Sequence, residues 1–527
     1  MLIVSCSDFG EVVPSFRINS GLTLNYKNMK KLSILCTFIT ALFATGTIAQ
    51  EKIGQFDGHE DVGNPTLKGA ATYNPETQEY TLESAGLNMW DKADQFHFLW
   101  KKIKGDFIIS ATIRFIGNGT NPHRKIGIIA RDKLSTDSRY ADACVHGDDL
   151  TSLQYRTADG AITEQVELSV FHPTNIEFQR VGNKFIFSAA VFGANYKSVS
   201  KEIALDEEVY AGIFLCSHED KVVEKAVFSN VRITIPAAPD FRPYRDYLGS
   251  HIEVMDVHTG LRKILHSAPN SLQAPNWTKD GKTLIYNSEG KMYNFDLASN
   301  TVSTLNTGFA INNNNDHVLS FNGKKLALSN HMGETRISTL FILPVTGSDQ
   351  PEAITAPESG HSYLHGWSPD GKKLIFTGQR NKQYDIWSVD IATKKETPLT
   401  NTLTLDDSPE FTPDGKWIYF NSVRTGTMKL WRMKPDGSQQ EQVTFDEYND
   451  WFPHISPDGK WIVYLSYPKE INPTDHPWYQ KIYLRLMPAA GGIPRNIAYV
   501  YGGQGTINVP SWSPDSKRIA FVSNTKL

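Results

Sequence analysis

The chain has 527 residues and a formal net charge of −4. That length leaves room for two or three domains, each able to bury a core, and the slight acidic excess supplies no basic field for nucleic acid. Aromatics at 11% and 38 glycines suit an all-β protein, in which aromatic side chains pack on sheets and glycines turn corners.

Residues 1–28 have no leader-like character and precede Met29, where translation is expected to begin. Residues 29–49 read as a secretory signal. Lys30-Lys31 is its positive start, residues 32–43 its apolar core, and Thr47-Ile48-Ala49 its small-residue cleavage site. The apolar run is too short to span a bilayer. No Leu-x-x-Cys lipidation pattern accompanies it, so a periplasmic or secreted product is expected, not membrane-spanning. Cys144 and Cys216 survive processing and are expected as two separate buried thiols, although an oxidising compartment would permit a disulfide.

Residues 50–236 carry strand patterns with almost no helix signal. The clearest runs are 107–115, 125–131, 139–146, 152–156, 175–180, 184–191, 210–217 and 227–235. So many strands predict a two-sheet sandwich or jelly roll. The stretch Lys125-Ile126-Gly127-Ile128-Ile129-Ala130-Arg131-Asp132, followed by Leu153-Gln154-Tyr155-Arg156, resembles the concanavalin-like and laminin-G-like modules of bacterial carbohydrate-associated proteins. Alternation places Arg131, Asp142, His146, Gln154 and Arg156 on one sheet face. Such a set can bond sugar hydroxyls or clamp a carboxylate. The competing reading is a solvated outer face.

A linker is expected over 237–248. Pro236, Pro239 and Pro243 make its start stiff.

From 249 to 527 one short phrase recurs six times. Its clearest copy is Trp367-Ser368-Pro369-Asp370-Gly371-Lys372; the others begin at Asn276, Leu319, Phe411, Ile455 and Trp512. Pro presets φ, Asp bonds its own backbone and Gly accepts positive φ, so each copy predicts a hairpin. The glycine positions 281, 323, 371, 415, 459 and 516 are spaced by 42, 48, 44, 44 and 57 residues. A period near 44 with about four strands per unit predicts a β-propeller of six blades. The last copy is followed by one strand only, and two strand-like runs precede the first. One blade is therefore expected to be shared between the two ends of the repeat region. The copy at 367–376, with Asp385-Ile386-Trp387 after it, resembles the repeat of the periplasmic TolB propeller. A sandwich stands where that protein has a small α/β domain, so its Tol–Pal partnership does not carry over.

Residues just before each phrase should line the axial channel: Gln273, Asn315, Tyr363, Asp407, Trp451 and Asn508. These amide, acid and aromatic side chains suit a sugar or a peptide segment at the channel mouth, or simply ordered water. His317, His331, His361, His365 and His454 show no metal-ligand spacing, and the histidine cluster of propeller oligogalacturonate lyases has no counterpart. No metal or cofactor is expected. There is no Gly-x-Ser-x-Gly elbow or phosphate loop. Adjacent Asp406 and Asp407 should point to opposite faces. These features favour an exported, monomeric binding or scaffold protein recognising a protein or a glycan, without catalysis of its own. The alternatives are a carbohydrate-active enzyme, with its site on the propeller axis or at the domain junction, and a sensor docking an outer-membrane uptake system.

Overall fold

The computed structural model describes residues 52–242 and 245–527. The expected leader and the segment upstream of it lie outside the described residues.

The first part of the described chain forms two seven-stranded antiparallel sheets. One has the order Gly58–Val62, Phe96–Lys104, Glu208–Cys216, Lys125–Arg131, Tyr140–His146, Thr151–Arg156, Glu164–Glu167. The other runs Lys197–Glu202, Lys184–Ala190, Asn175–Val181, Phe107–Ile116, Glu219–Thr234, Glu79–Gly86, Ala70–Asn74. Period two explains their packing. Ile126, Ile128 and Ala130 of one sheet meet Phe178, Phe187 and Ile109 of the other in one apolar core. Lys197–Glu202 gave no strand signal because it is a polar edge strand with an exposed face, as edges commonly are. Cys144 and Cys216 are buried, free thiols.

Residues 249–525 form six sheets around an axis. Five have four strands each, beginning at Gln273, Asn313, Ser362, Asp406 and Asn449. The remaining sheet joins Arg262–Ala268, Gly249–Asp256 and the C-terminal Arg518–Thr525, with a bridge from Ile519 to Trp512 on its inner side. The chain is thus a six-bladed propeller closed by strands from both ends of the repeat region.

The recurrent phrase works as its chemistry predicts. Ser368 Oγ donates to Asp370 Oδ1 at 2.6 Å and accepts from the Lys373 amide at 2.9 Å. Gly371, at φ 71°, closes the turn. Thr278, Thr412, Ser456 and Ser513 repeat the hydroxyl–aspartate contact with Asp280, Asp414, Asp458 and Asp515. The bulky residue of the phrase also ties blades together. Trp367 Nε1 donates to the Val318 carbonyl and Trp512 Nε1 to the His454 carbonyl, each in the preceding blade.

The two-sheet unit is bound to the shared blade and its neighbour. Tyr196 stacks on Tyr499 with 3.6 Å between ring centroids. Asn230 exchanges hydrogen bonds with the Gly260 carbonyl and the Arg262 amide. At the centre of the contact Glu253, fully buried, accepts from Arg232 and Arg262, each at 2.7 Å, and from Ser523 Oγ at 2.6 Å. The stretch after Pro236 is no free spacer. Ala237, Phe241 and Leu248 pack on Trp478, Tyr479 and Tyr501. Among the described residues no helix is long and apolar enough to cross a membrane.

Burial alone would raise the Glu253 carboxyl, but the guanidiniums of Arg232 and Arg262 outweigh it and hold it far below the usual carboxylate range. A depressed folded pKa stabilises the fold above the unfolded value, about 4.3, and that contribution is lost as pH falls below it. Glu253→Gln leaves two buried cations unmatched and should cost about 3–5 kcal/mol at pH 7. Urea unfolding of variant and wild type should show this gap closing as the pH is lowered from 5 towards 2. A gap independent of pH would assign the loss to packing.

Candidate ligand site on the propeller axis

The expected sandwich face is not accessible. Arg131, Asp142, His146, Gln154 and Arg156 lie on adjacent strands and share a face, as alternation requires, yet each is at most 5% exposed. The hairpin of Met89–Trp90 and Ala93–Asp94 lies over the arginine end of this face. Asp94 Oδ2 accepts from Arg131 at 3.2 Å, and its carboxylate receives Arg156 at 2.8 and 3.0 Å. Tyr140 OH donates to the Met89 carbonyl. The face is neither an open sugar platform nor a solvated surface. It holds a second small core of Phe96, Phe98, Ile129, Tyr140 and Phe214. The two arginines are spent on pinning the cover.

The propeller axis is open. A cavity of about 860 Å³ occupies its wide end and takes residues from blades all round the ring. Gln273, Asn315, Tyr363, Asp407 and Asn508 line it. Trp451 does not. It is fully buried in the blade core, against His476 at 4.6 Å between ring centroids. The innermost strands carry register shifts, among them 407/410 and 451/454. Ala274, Ser408 and Phe452 sit there at positive φ. Asp407 and Gln273 stand before the same shift and still line the cavity, whereas at the equivalent place Phe452 lines it and the Trp451 ring packs into the blade core.

The same bulged strands bring together charged groups that spacing did not reveal. Asp407 Oδ1 lies 3.3 Å from His365 Nε2 and accepts from Thr377 Oγ1 at 2.5 Å. Asp316 Oδ2 accepts from Asn314 at 2.7 Å. Burial would lower His365, but Asp407 and Asp316 outweigh it and raise it. Burial would likewise raise Asp407, but the hydrogen bond from His365 prevails and holds it low. Burial dominates at Asp316, which is pushed up to about 6, with His365 opposing the shift. Burial thus favours the protonated form of Asp316, while mutual attraction favours the charged forms of His365 and Asp407. Asp406, by contrast, turns away to Arg424 at 2.8 Å, as expected for adjacent strand residues. Of the other propeller histidines, His331 lines the cavity. His361 meets Tyr363 OH at 3.3 Å. His317 and His454 bond to backbone carbonyls of neighbouring blades.

At the turn end the axis narrows to a separate apolar pocket of about 150 Å³, lined by Trp277, Trp367, Phe411 and Trp512. Glu410 stands on its wall and accepts from His454 Nδ1 at 2.7 Å. The wide end is thus polar and the narrow end apolar.

Residues 318–476 match the family model described as PD40, the TolB beta propeller domain. The uncharacterized protein Atu1656 of Agrobacterium fabrum is 42% identical over 274 residues, which are 52% of this chain and 92% of that protein. A solved structure of a putative TolB from Agrobacterium tumefaciens is 41% identical with a TM-score of 0.51, covering 54% of this chain and all of that one. TolB of Acinetobacter baumannii is 19% identical with a TM-score of 0.38, over 49% of this chain and 64% of that one.

A carboxyl raised by folding removes stability as pH climbs from its unfolded value, near 3.8, to its folded one, about 6. Asp316→Asn abolishes this penalty. The variant should be more stable than wild type at pH 7 by about 1–3 kcal/mol, with the difference growing between pH 4 and 6. Thermal unfolding across that range checks it. A variant less stable at pH 7 would mean that attraction to His365 and the bond from Asn314 outweigh burial.

Proposed function

Since the chain belongs to the TolB-like β-propeller family, we propose that it is an exported binding protein whose axial cavity takes the end of a glycan. The carrying observation is the lining of that cavity. Gln273, Asn287, Asn315 and Asn508 bring amide groups to its wall, some held by neighbours such as Gln504 on Asn508, and Tyr363 and Tyr384 add aromatic faces. Neighbouring hydroxyls on a sugar match paired donors and acceptors, and its apolar ring face matches an aromatic side chain. A volume of about 860 Å³ is within the range of small-molecule clefts. The two-sheet unit, read as a concanavalin-like module, serves here as a fixed partner of the propeller, because its candidate face is covered. The leader at 29–49 directs the product to the periplasm or beyond.

A second reading is favoured by the Asp316–His365–Asp407 group. Carboxyls whose environments separate their protonation are the signature of acid–base pairs, so the bound glycan would also be cleaved.

A glycan-array screen of residues 50–527, followed by calorimetric titration, tests the proposal. Tyr363→Ala and Asn508→Ala should each weaken the best glycan roughly tenfold or more, in line with one lost hydrogen bond or stacking contact. Binding unchanged in both variants, or no glycan bound at all, would overturn it and direct the search to protein partners. Turnover of the bound glycan that disappears in Asp407→Asn would establish the second reading.

A further inference from the structure

Three side chains that are distant from the axis converge at the rim of the two-sheet unit. His123 precedes the strand Lys125–Arg131, His146 ends Tyr140–His146, and Asp148 lies in the turn that follows. One nitrogen of each histidine and one oxygen of the aspartate lie within 4.8 Å of one another. His123 Nδ1 is 3.4 Å from Asp148 Oδ2. The ring of His218 stands 5.6 Å from that of His123, centroid to centroid.

His146 gives the cluster a direction. It is 5% exposed, and its Nδ1 has no hydrogen-bond partner. Its Nε2 meets the Gln154 amide nitrogen at 3.3 Å, while Gln154 Oε1 also lacks a partner. Amide nitrogen and oxygen are interchangeable by a half-turn. With this amide turned, and that of Gln165, which it meets at 3.3 Å, turned with it, Oε1 accepts Nε2–H and the lone pair remains on Nδ1. A ring nitrogen on a metal with the other donating to an outer group is the usual state of a metal-bound histidine.

We propose that His123, His146 and Asp148 form a site for a divalent transition metal, with Zn²⁺ the best fit. Two imidazoles and one carboxylate are a zinc-type donor set, and His218 or water would complete a tetrahedron. Bonds of roughly 2.0–2.2 Å require the donors to draw slightly closer, which the half-exposed His123 side chain permits. Lys125, held on Asn88 Oδ1 at 2.7 Å, opposes a cation, and Asp148 supplies the compensating charge. The ion would tie the approach to strand 125–131 to the turn after residue 146. Ligand-spacing motifs could not reveal it, because His123 precedes one strand and His146 ends the next, and only the pairing of those strands brings them together.

The test uses the untagged chain, stripped of metal and dialysed against Zn²⁺, with bound metal read by mass spectrometry and Co²⁺ absorption as a second probe. Wild type should hold close to one ion per chain and gain thermal stability from it. His123→Ala and Asp148→Ala, both altering solvent-reachable side chains, should weaken binding roughly tenfold or more while melting normally without metal. Failure of wild type to retain Zn²⁺ or Co²⁺, or equal retention by both variants, would overturn the proposal.

Discussion

Pairing of Gly249–Asp256 with Arg518–Thr525 over eight residues holds the ring shut. Each blade buries its faces only against its neighbours, so a gap would expose two apolar faces and two strand edges at once. The strand that closes the ring also carries Glu253, which receives Arg232 from the two-sheet unit and Arg262 from the adjacent strand. Closure and attachment of the first domain thus depend on the same eight residues. Because Ile235 and Lys526 exchange a further backbone bond, the C-terminal strand is held from both sides.

The closed ring sets the character of the axis. Inner strands converge there and must bend, and the bulges at 407/410 and 451/454 supply the bend. The same bulges aim Asp407 and Phe452 inward and leave polar groups in water-poor surroundings. Asp316 is the clearest case, since its carboxyl is raised by burial in spite of a nearby imidazole. Groups held at a cost to stability are commoner at working sites than elsewhere. The apolar narrow end, by contrast, is built from the phrase residues Trp277, Trp367, Phe411 and Trp512, whose task is to hold blades together.

The repeat phrase made the propeller legible, because Ser/Thr, Asp and Gly at fixed offsets have one local solution and a period near 44 has few architectures. The wide mouth was legible in part: Gln273, Asn315, Tyr363, Asp407 and Asn508 reach it, whereas the large apolar ring of Trp451 packs into the blade core instead. Asp316 and His365 were missed for another reason. They join Asp407 from different blades, and no spacing along the chain encodes that meeting. On the two-sheet unit, alternation correctly put Arg131 and Arg156 on one face but could not show the 89–94 hairpin covering it. Asp94 is the residue that decides their role, and it lies well upstream of both.

Glycan recognition is proposed at the wide end of the axis. Amide hydrogen exchange of the full chain, with and without the tightest-binding oligosaccharide of a panel, tests it most directly. Slower exchange in 313–319, 362–367, 406–411 and 504–508 is the predicted result, with 125–156 unchanged. Protection confined to the two-sheet unit, or to the outer blade strands, would contradict it.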